Sequence, residues 1–387
     1  MKYINRQLQI KLGSHQSAFL WGARKTGKTT YLRQKFPKSI VFDFLKTDLF
    51  LDMSKNPALL RERLLAEDPA RLKYPIILDE VQKVPQLLDE VHWLIENKGL
   101  NFILCGSSAR KLKRGHANLL GGRAWRYELL PLTSCEIGKV DLLRVLNQGL
   151  VPAHYLQNKE DCRKSLKAYV QDYLREEVFA EGLTRNIPAF SRFFDAFGYS
   201  HGEITNYANI ARDCGIDAKT VKENFQILMD TLLAYRLEPF KARQSRQVIT
   251  KAPKYYMFDV GVAGYLTKRN ISQTKGADFG KAFEHFILME IAAYRSYSGR
   301  DFDMNFWRTK SGLEVDFVLG EGRVAIEVKG SERVDKNHLK GLDAFIEEHN
   351  PGKAVLVCHE KEKRLCGKVL ICPWELFLKE LWAGNII

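Results

Sequence analysis

A glycine-rich loop of the form G-x-x-x-x-G-K-T constrains the fold of this chain more than any other feature. It starts at Gly22, directly after an apolar run that ends at Trp21, and it finishes at Thr29, where a helical pattern begins. The glycines let the backbone turn successive N–H groups inward, and the helix N-terminus adds partial positive charge. The alternative is a chance glycine-rich turn, but the flanking strand and helix favour a phosphate-binding loop.

Each part of this loop has an expected role in binding ATP. The Lys28 ammonium reaches the β- and γ-phosphates, and the Thr29 hydroxyl ligates Mg²⁺. The residues expected to contact the nucleotide are Gly22, Ala23, Arg24, Lys25, Thr26, Gly27, Lys28, Thr29 and Thr30. The sequence therefore predicts ATP and Mg²⁺ as cofactors.

An acidic pair follows a later apolar run, in the segment PIILDE that ends with Asp79 and Glu80. We expect Asp79 to hold Mg²⁺ through water, and Glu80 to orient and polarise the attacking water. This arrangement predicts a hydrolysing ATPase rather than a kinase-like enzyme. A solvated Asp-Glu pair at a strand end is the alternative.

Two further residues are candidates for the hydrolytic site. Ser107 follows the apolar run at 102–105 and is placed to sense the γ-phosphate, although its hydroxyl could instead cap the next helix. A basic stretch follows it, with cations at Arg110, Lys111, Lys113, Arg114, Arg123 and Arg126. Arg123 is the candidate for neutralising transition-state charge, from the same chain or from a neighbour, with a DNA-facing or solvated cation as the alternative.

The first 130 residues alternate short apolar runs with longer periodic segments. The runs lie at 18–21, 40–44, 76–78 and 102–105, with helical stretches at 29–35 and 87–97 among the segments between them. This alternation is typical of βαβ units, so the fold class is α/β with a parallel sheet. Helical patterns dominate from about 160 to 240, and after residue 276 a helix precedes strand-like segments.

Taken together, these motifs resemble a known family. The segments GARKTGKTT, LDEVQ, GSS and GGR, with LLPLT after them, are similar to those of prokaryotic AAA-type ATPases that carry a C-terminal domain of unknown function. The resemblance runs nearly end to end. It implies an AAA-type P-loop ATPase domain over 1–155, a helical winged-helix domain over 156–275 and a restriction-endonuclease-like α/β domain over 276–387.

The residues of the middle segment are consistent with a winged helix. A short helical pattern closes at Gly215, and a second helix capped by Asp217 keeps Val221 and Phe225 on its inner face. The segment 241–254 has five basic residues, among them Lys254, and no acidic one, as a wing along phosphates would. The predicted DNA contacts are Lys219, Lys222, Lys241, Arg243, Arg246 and Lys251. A helical lid or a protein-docking role is the alternative.

The last segment contains a D…E-x-K pattern similar to the core of restriction-endonuclease-like enzymes. Asp316 lies on one alternating strand, Glu327 and Lys329 lie on the next, and Glu284 lies on the preceding helix. We expect Asp316, Glu327 and Glu284 to hold Mg²⁺, and Lys329 to help generate or stabilise a hydroxide. A metal-binding or ATP-coupled DNA clamp would use the same surface, so hydrolysis of DNA stays an alternative.

Net charge indicates a polyanionic partner. The chain carries +14 in total: residues 1–150 have 25 basic and 14 acidic side chains, 151–275 have 19 and 14, and 276–387 have 16 and 18. Nucleic acid is the expected partner and a membrane surface is the rival. No segment has the 18 or so apolar residues that a membrane span needs.

The cysteines and the N-terminus bear on the compartment. Seven scattered cysteines without a C-x-x-C pair are typical of reduced cytosolic thiols, and the start of the chain lacks the apolar region of a signal peptide. We therefore expect a cytoplasmic protein without a membrane partner.

Three functional hypotheses follow. The first is a DNA-binding ATPase of repair, recombination or genome defence, and the resemblance of its last domain to nucleases and junction resolvases implies branched DNA such as forks or Holliday junctions. The second is a regulatory switch ATPase with a protein-binding winged helix and a vestigial nuclease fold, and the third is an ATP-gated endonuclease. Because an arginine acting in trans needs a neighbour, a homo-oligomer is expected.

Overall fold

The computed structural model describes residues 3–13, 15–108, 120–173, 187–241 and 252–387. These residues form two compact units. The N-terminal unit comprises Leu8–Pro131 with Asp230–Leu233, and the C-terminal unit comprises Met1–Gln7, Leu132–Met229 and Ala234–Ile387. Apart from Asp230–Leu233, the predicted segments 156–275 and 276–387 thus fall in one unit, and the three-domain division stays a prediction.

A five-stranded parallel sheet in the order β2-β3-β4-β1-β5 forms the centre of the N-terminal unit. Its strands are β1 (Ser17–Trp21), β2 (Val41–Asp43), β3 (Ile76–Asp79), β4 (Phe102–Gly106) and β5 (Ala124–Glu128). The described helices are α1 (Lys28–Lys35), α2 (Thr47–Lys55), α3 (Ala58–Leu65) and α4 (Leu87–Lys98), with a 3₁₀ turn at Val81–Lys83. The predicted α/β class and parallel sheet are confirmed.

The apolar runs of the sequence form strands because they are buried on both faces. All residues of β1, β3 and β4 are buried, as expected for parallel strands covered by helices. Phe19 and Trp21 stack in the core with ring centroids 5.3 Å apart, and Leu78 and Leu104 pack into the same cluster. The carboxyl ends of these strands consequently meet along one edge.

An eight-stranded mixed sheet in the order β12-β13-β11-β10-β9-β8-β6-β7 organises the C-terminal unit. The strands are β6 (Ala234–Pro239), β7 (Lys254–Met257), β8 (Met304–Arg308), β9 (Glu314–Leu319), β10 (Val324–Val328), β11 (Lys353–Cys358), β12 (Arg364–Cys366) and β13 (Val369–Pro373). The early helices are α5 (Ser134–Ile137), α6 (Leu142–Gln148), α7 (Pro152–Tyr155) and α8 (Lys159–Ala168), followed by a π-helical turn at Tyr169–Tyr173. The later helices are α9 (Ile187–Ser200), α10 (Tyr207–Cys214), α11 (Ala218–Asp230), α12 (Val260–Leu266), α13 (Ala277–Ser298), α14 (Lys340–His349) and α15 (Trp374–Trp382), with a 3₁₀ turn at Lys336–Leu339.

The hairpin β6–β7 joins the middle of the chain to the C-terminal strands. β6 pairs antiparallel with β7, and it also pairs parallel with β8 through Glu238 and Asn305. This pairing covers an edge of β8 that would otherwise expose unpaired backbone groups. The hairpin and the strands of the D…E-x-K pattern therefore belong to one sheet.

Helix α13 buries the predicted apolar face. Its side chains Phe279, Phe283, Phe286, Ile287 and Ile291 are all at most 1% exposed, and they pack into one core with residues of β9, β10 and β11. The helix ends at Gly299, whose φ of 69° is the left-handed conformation that glycine adopts readily. Over the described ranges, no helix is long and apolar enough to cross a membrane.

Candidate functional site

The phosphate loop links the end of β1 to the start of α1. Lys25 and Gly27 have left-handed backbone angles, with φ of 66° and 92°, which turn the loop over the helix N-terminus. Lys28 is buried, and its ammonium donates hydrogen bonds to the carbonyls of Gly22 at 2.8 Å and Ala23 at 3.2 Å. The ammonium is thus held inside the loop, where it can turn to a phosphate.

The other loop residues divide by exposure. Thr26 is buried and its hydroxyl donates to the Ala23 carbonyl at 2.8 Å, whereas Arg24 and Thr30 are exposed. Gly22 is required sterically, because a Cβ there would lie 2.5 Å from the Leu129 carbonyl oxygen.

The predicted magnesium ligands lie in contact. The Thr29 hydroxyl donates to Asp79 Oδ2 at 2.7 Å, since the helix that carries Thr29 starts beside the carboxyl end of β3. Asp79 is 2% exposed and also accepts the backbone N–H of Glu80 at 3.1 Å. Glu80 has a φ of 59°, an unfavourable conformation for a residue with a side chain and one that is common at functional sites.

Gln82 is a site residue that the sequence analysis missed. It is 6% exposed, and its amide Nε2 donates to Glu80 Oε2 at 2.5 Å and to the Ser107 hydroxyl at 3.2 Å. Ser107 follows β4, and the register Asp79↔Cys105 brings it to the same edge as β3. Gln82 therefore joins the candidate water-polarising carboxylate to the candidate γ-phosphate sensor. The sequence signal was its place two residues after Glu80, as the last residue of the segment LDEVQ.

These residues fit ATP with Mg²⁺. The loop offers backbone N–H groups and a buried ammonium for phosphates, and Thr29 and Asp79 offer the hard oxygen ligands that Mg²⁺ prefers. The fit rests on this donor set, which the sheet register brings to one edge.

Arg123 lies away from this edge. Parallel β5 pairs Ala124 with Ser17 at the amino end of β1, whereas the phosphate loop follows the carboxyl end at Trp21. The guanidinium of Arg123 forms an ion pair with Glu96 of α4, and this contact lowers the pKa of the Glu96 carboxyl through the hydrogen bond. The fold therefore does not bring Arg123 to the loop of its own chain.

The predicted DNA contacts are only partly within the described residues. Lys219 and Lys222 are exposed on α11, while Val221 and Phe225 on the opposite face are buried, as the helical pattern predicted. Lys241 is exposed as well. The predicted contacts Arg243, Arg246 and Lys251, and the basic residues Arg110, Lys111, Lys113 and Arg114, lie outside the described residues.

A second cluster of charged side chains lies in the C-terminal unit. The strands β9 and β10 form the predicted hairpin, with Leu319 opposite Val324. The carboxylate of Asp316 accepts the Val328 N–H at 2.8 Å, and Glu327 accepts the Asp316 N–H at 3.3 Å. Both carboxylates are at most 6% exposed.

The remaining predicted residues complete this cluster. Lys329 forms an ion pair with Glu327, and Glu284 of α13 lines the same cavity of about 230 Å³. Burial and then the charge of Asp316 raise the pKa of Glu284 to about 7 and that of Glu327 well above its usual range. The fold thus brings all four predicted residues together.

The sequence analysis also assigned Lys254 to the wrong environment. It was grouped with the exposed basic wing, but it is 4% exposed and its ammonium lies 2.5 Å from Glu314 and 3.8 Å from Glu284. Burial alone would lower the pKa of this lysine, but the charges of Glu284 and Glu314 outweigh burial and raise it. The prediction was wrong because β7 enters the sheet beside β6 and turns Lys254 inward. Tyr256, two residues later, donates to Glu284 at 2.5 Å.

The cluster does not have the geometry expected for Mg²⁺. Within the ranges that the structure describes, no group of three or more His, Cys, Asp or Glu side chains is placed to hold a metal ion. Ammonium groups from Lys254 and Lys329 contact the carboxylates instead. The predicted metal site at Glu284, Asp316 and Glu327 therefore does not fit a metal as arranged, in contrast to Thr29 and Asp79.

Sequence comparisons divide the chain into three matched regions. Residues 14–138 match a family described as an AAA domain. Residues 139–273 and 279–377 match two families described as domains of unknown function, DUF8612 and DUF4143. The second boundary lies near the predicted division between residues 275 and 276.

Three relatives match at 25% identity, and each bears the description of an uncharacterized protein. Proteins of Mycobacterium tuberculosis and Mycobacterium bovis are each 25% identical over 310 residues, which cover 78% of this chain and 66% of theirs. This chain thus spans just under two thirds of those relatives. A protein of Methanocaldococcus jannaschii is 25% identical over 368 residues, 84% of this chain and 77% of its own length.

A solved structure of the Aeropyrum pernix Orc1 protein in complex with DNA is similar over 65% of this chain and 86% of that chain. Its TM-score of 0.30 and identity of 12% are too low to establish a shared fold. The assignment rests instead on the family match and on the phosphate loop with its acidic partners. Residues 14–138 match the AAA domain family, and they contain the phosphate loop and the acidic pair expected of a P-loop domain.

Proposed function

We propose that this protein is a Mg²⁺-dependent ATP hydrolase. The observation that carries the proposal is the convergence of Lys28, Thr29, Asp79, Glu80 and Ser107 at the carboxyl edge of the parallel sheet. Phosphoryl transfer needs little more from a protein than positioning and charge stabilisation, and this edge offers both.

Each side chain has a task in the proposed reaction. Lys28 leaves the loop carbonyls and binds the β- and γ-phosphate oxygens, and Thr29 and Asp79 would hold Mg²⁺, which would neutralise phosphate charge. Glu80 accepts a hydrogen bond from the attacking water and polarises it, and Ser107 donates to the γ-phosphate. Gln82 holds the side chains of Glu80 and Ser107 in a fixed position relative to each other.

The test of ATP hydrolysis is phosphate release by the wild type and by Lys28→Ala. Loss of the ammonium should reduce turnover by about a thousandfold or more, since it removes charge stabilisation from the transferred phosphoryl group. Lys35→Ala is the matched control, because Lys35 is an exposed lysine of the same helix that contacts Gln9. Equal turnover in wild type and Lys28→Ala would remove the loop from the mechanism.

We propose that DNA is the partner of this ATPase. The support is the exposed pair Lys219 and Lys222 on α11, together with the net charge of +16 on residues 1–275. Coupling of hydrolysis to a grip on DNA would suit repair, recombination or genome defence, with forks or Holliday junctions as substrates. Such a role places the protein in the cytoplasm, where its seven free thiols stay reduced.

We further propose that Arg123 acts on a neighbouring copy in a homo-oligomer. The support is its position at the amino edge of β5, which does not bring it to the loop of its own chain. Sedimentation of the wild type with ATP should show an assembly larger than a monomer. A monomer under these conditions would contradict the proposal.

A further inference from the structure

Lys254 forms an ion pair inside the carboxylate cluster of the C-terminal unit. Its ammonium contacts Glu314 at 2.5 Å and lies 3.8 Å from Glu284. Glu314 is also bound by Arg308 at 3.0 Å, and Glu327 by Lys329. Glu284, Glu314 and Glu327 thus each face a cation of the protein itself, and the carboxylate of Asp316 accepts the Val328 N–H.

The fold holds this lysine in place. Its backbone lies in β7 opposite Leu237 of β6, and it also bridges to Ile204. The ammonium lies 5.2 Å from the centroid of the Phe306 ring, whose face attracts a cation. Lys254 is only 4% exposed, so its ammonium lies among the carboxylates rather than in solvent.

A divalent cation and the Lys254 ammonium would compete for the same carboxylate oxygens. A metal ion would need oxygen lone pairs of these carboxylates, and an ammonium already in contact with them repels a second cation strongly where water is scarce. If the ammonium is removed, the buried carboxylates lose their counter-ion, and a metal ion or protons must replace it.

We propose that Lys254 excludes divalent cations from this cluster and that β7 thereby determines whether the site binds metal. The proposal goes beyond ATP hydrolysis and explains why a cluster with the right residue types lacks metal-binding geometry. It assigns Lys254 as the residue that determines cation specificity, a role for which its position in the sequence gives no hint.

The test is titration of the nucleotide-free full chain with Mn²⁺, followed by electron paramagnetic resonance of the free ion. We expect Lys254→Met to bind one Mn²⁺ at least about tenfold more tightly than the wild type, because one opposing charge is gone. The additional Asp316→Asn change should abolish this gain. Unchanged binding in folded Lys254→Met would overturn the proposal.

Controls separate this role from a general effect of charge. Lys281→Met removes a lysine from the rim of the same cavity, where it pairs with exposed Glu203, and it should leave Mn²⁺ binding unchanged. Lys254→Arg keeps the cation and should show no gain, so a gain there would overturn the proposal. If Lys254→Met does not fold, Lys254→Gln replaces it.

The wild type provides a test that needs no change at Lys254. Any Mn²⁺ that it binds without nucleotide should be insensitive to Asp316→Asn and lost in Thr29→Val, which removes the hydroxyl ligand of the phosphate-loop site. Binding by the wild type that depends on Asp316 would overturn the proposal even if no Lys254 variant folds.

Discussion

One side-chain amide joins two residues of the proposed hydrolytic site. Gln82 donates to both Glu80 and Ser107, and Gly106 leaves the space that its side chain fills. Without the amide, Glu80 would keep its strained backbone but lose the bond that orients its carboxylate. Positioning of this kind is worth far more for the rate of reaction than for nucleotide binding.

At this scale we predict that Gln82→Ala lowers kcat for ATP hydrolysis about tenfold to a hundredfold, with less than a threefold change in ATP affinity. Phosphate release measures kcat, and equilibrium binding of ATP measures the affinity. Gln86→Ala changes an exposed glutamine nearby and should alter neither quantity. A parallel loss of affinity and kcat would show that Gln82 supports the loop rather than the water.

Residues of local motifs were predictable from the sequence, and residues placed by long-range pairing were not. The roles of Lys28, Thr29 and Asp79 follow from motifs whose chemistry fixes their spacing, and the geometry agrees with them. Lys254 lies in a run of cations that looks exposed. Its burial is decided by the pairing of β6 with β8, which involves residues more than sixty positions apart.

Helix α11 and the paired strands β6 and β7 direct the basic side chains of the middle segment to different places. The helix presents Lys219 and Lys222 to solvent, and Lys222 lies over the Tyr207 ring at 5.2 Å. The hairpin instead directs Lys254 and Tyr256 into the sheet. Helical periodicity revealed the first arrangement, whereas the second needed the strand register.

At the scale of the element we predict that Lys219→Glu with Lys222→Glu weakens DNA binding and lowers the slope of log K against log salt by about two. The measurement is fluorescence anisotropy of labelled duplex and junction DNA at several salt concentrations. Lys164→Glu with Lys167→Glu reverses two exposed lysines of α8 and should leave the slope nearly unchanged. An unchanged slope in the α11 variant would favour a lid or protein-docking role.

Charge and fold divide the whole molecule differently. The basic excess belongs to residues 1–275, whereas 276–387 carry 16 basic and 18 acidic side chains. The compact units instead divide before Leu132, and β6 and β7 pair into the sheet of the C-terminal strands. The change in net charge along the sequence therefore predicts which part of the chain contacts a polyanion. It does not predict where a folded unit ends.

The central claim is that ATP hydrolysis is coupled to DNA, and the rate of phosphate release with and without DNA tests it most directly. We predict that wild-type turnover rises with DNA, most with forks or junctions, and that the rise is lost at high salt and in Lys219→Glu with Lys222→Glu. Equal turnover with no DNA, duplex, single strand, fork and junction would contradict the claim.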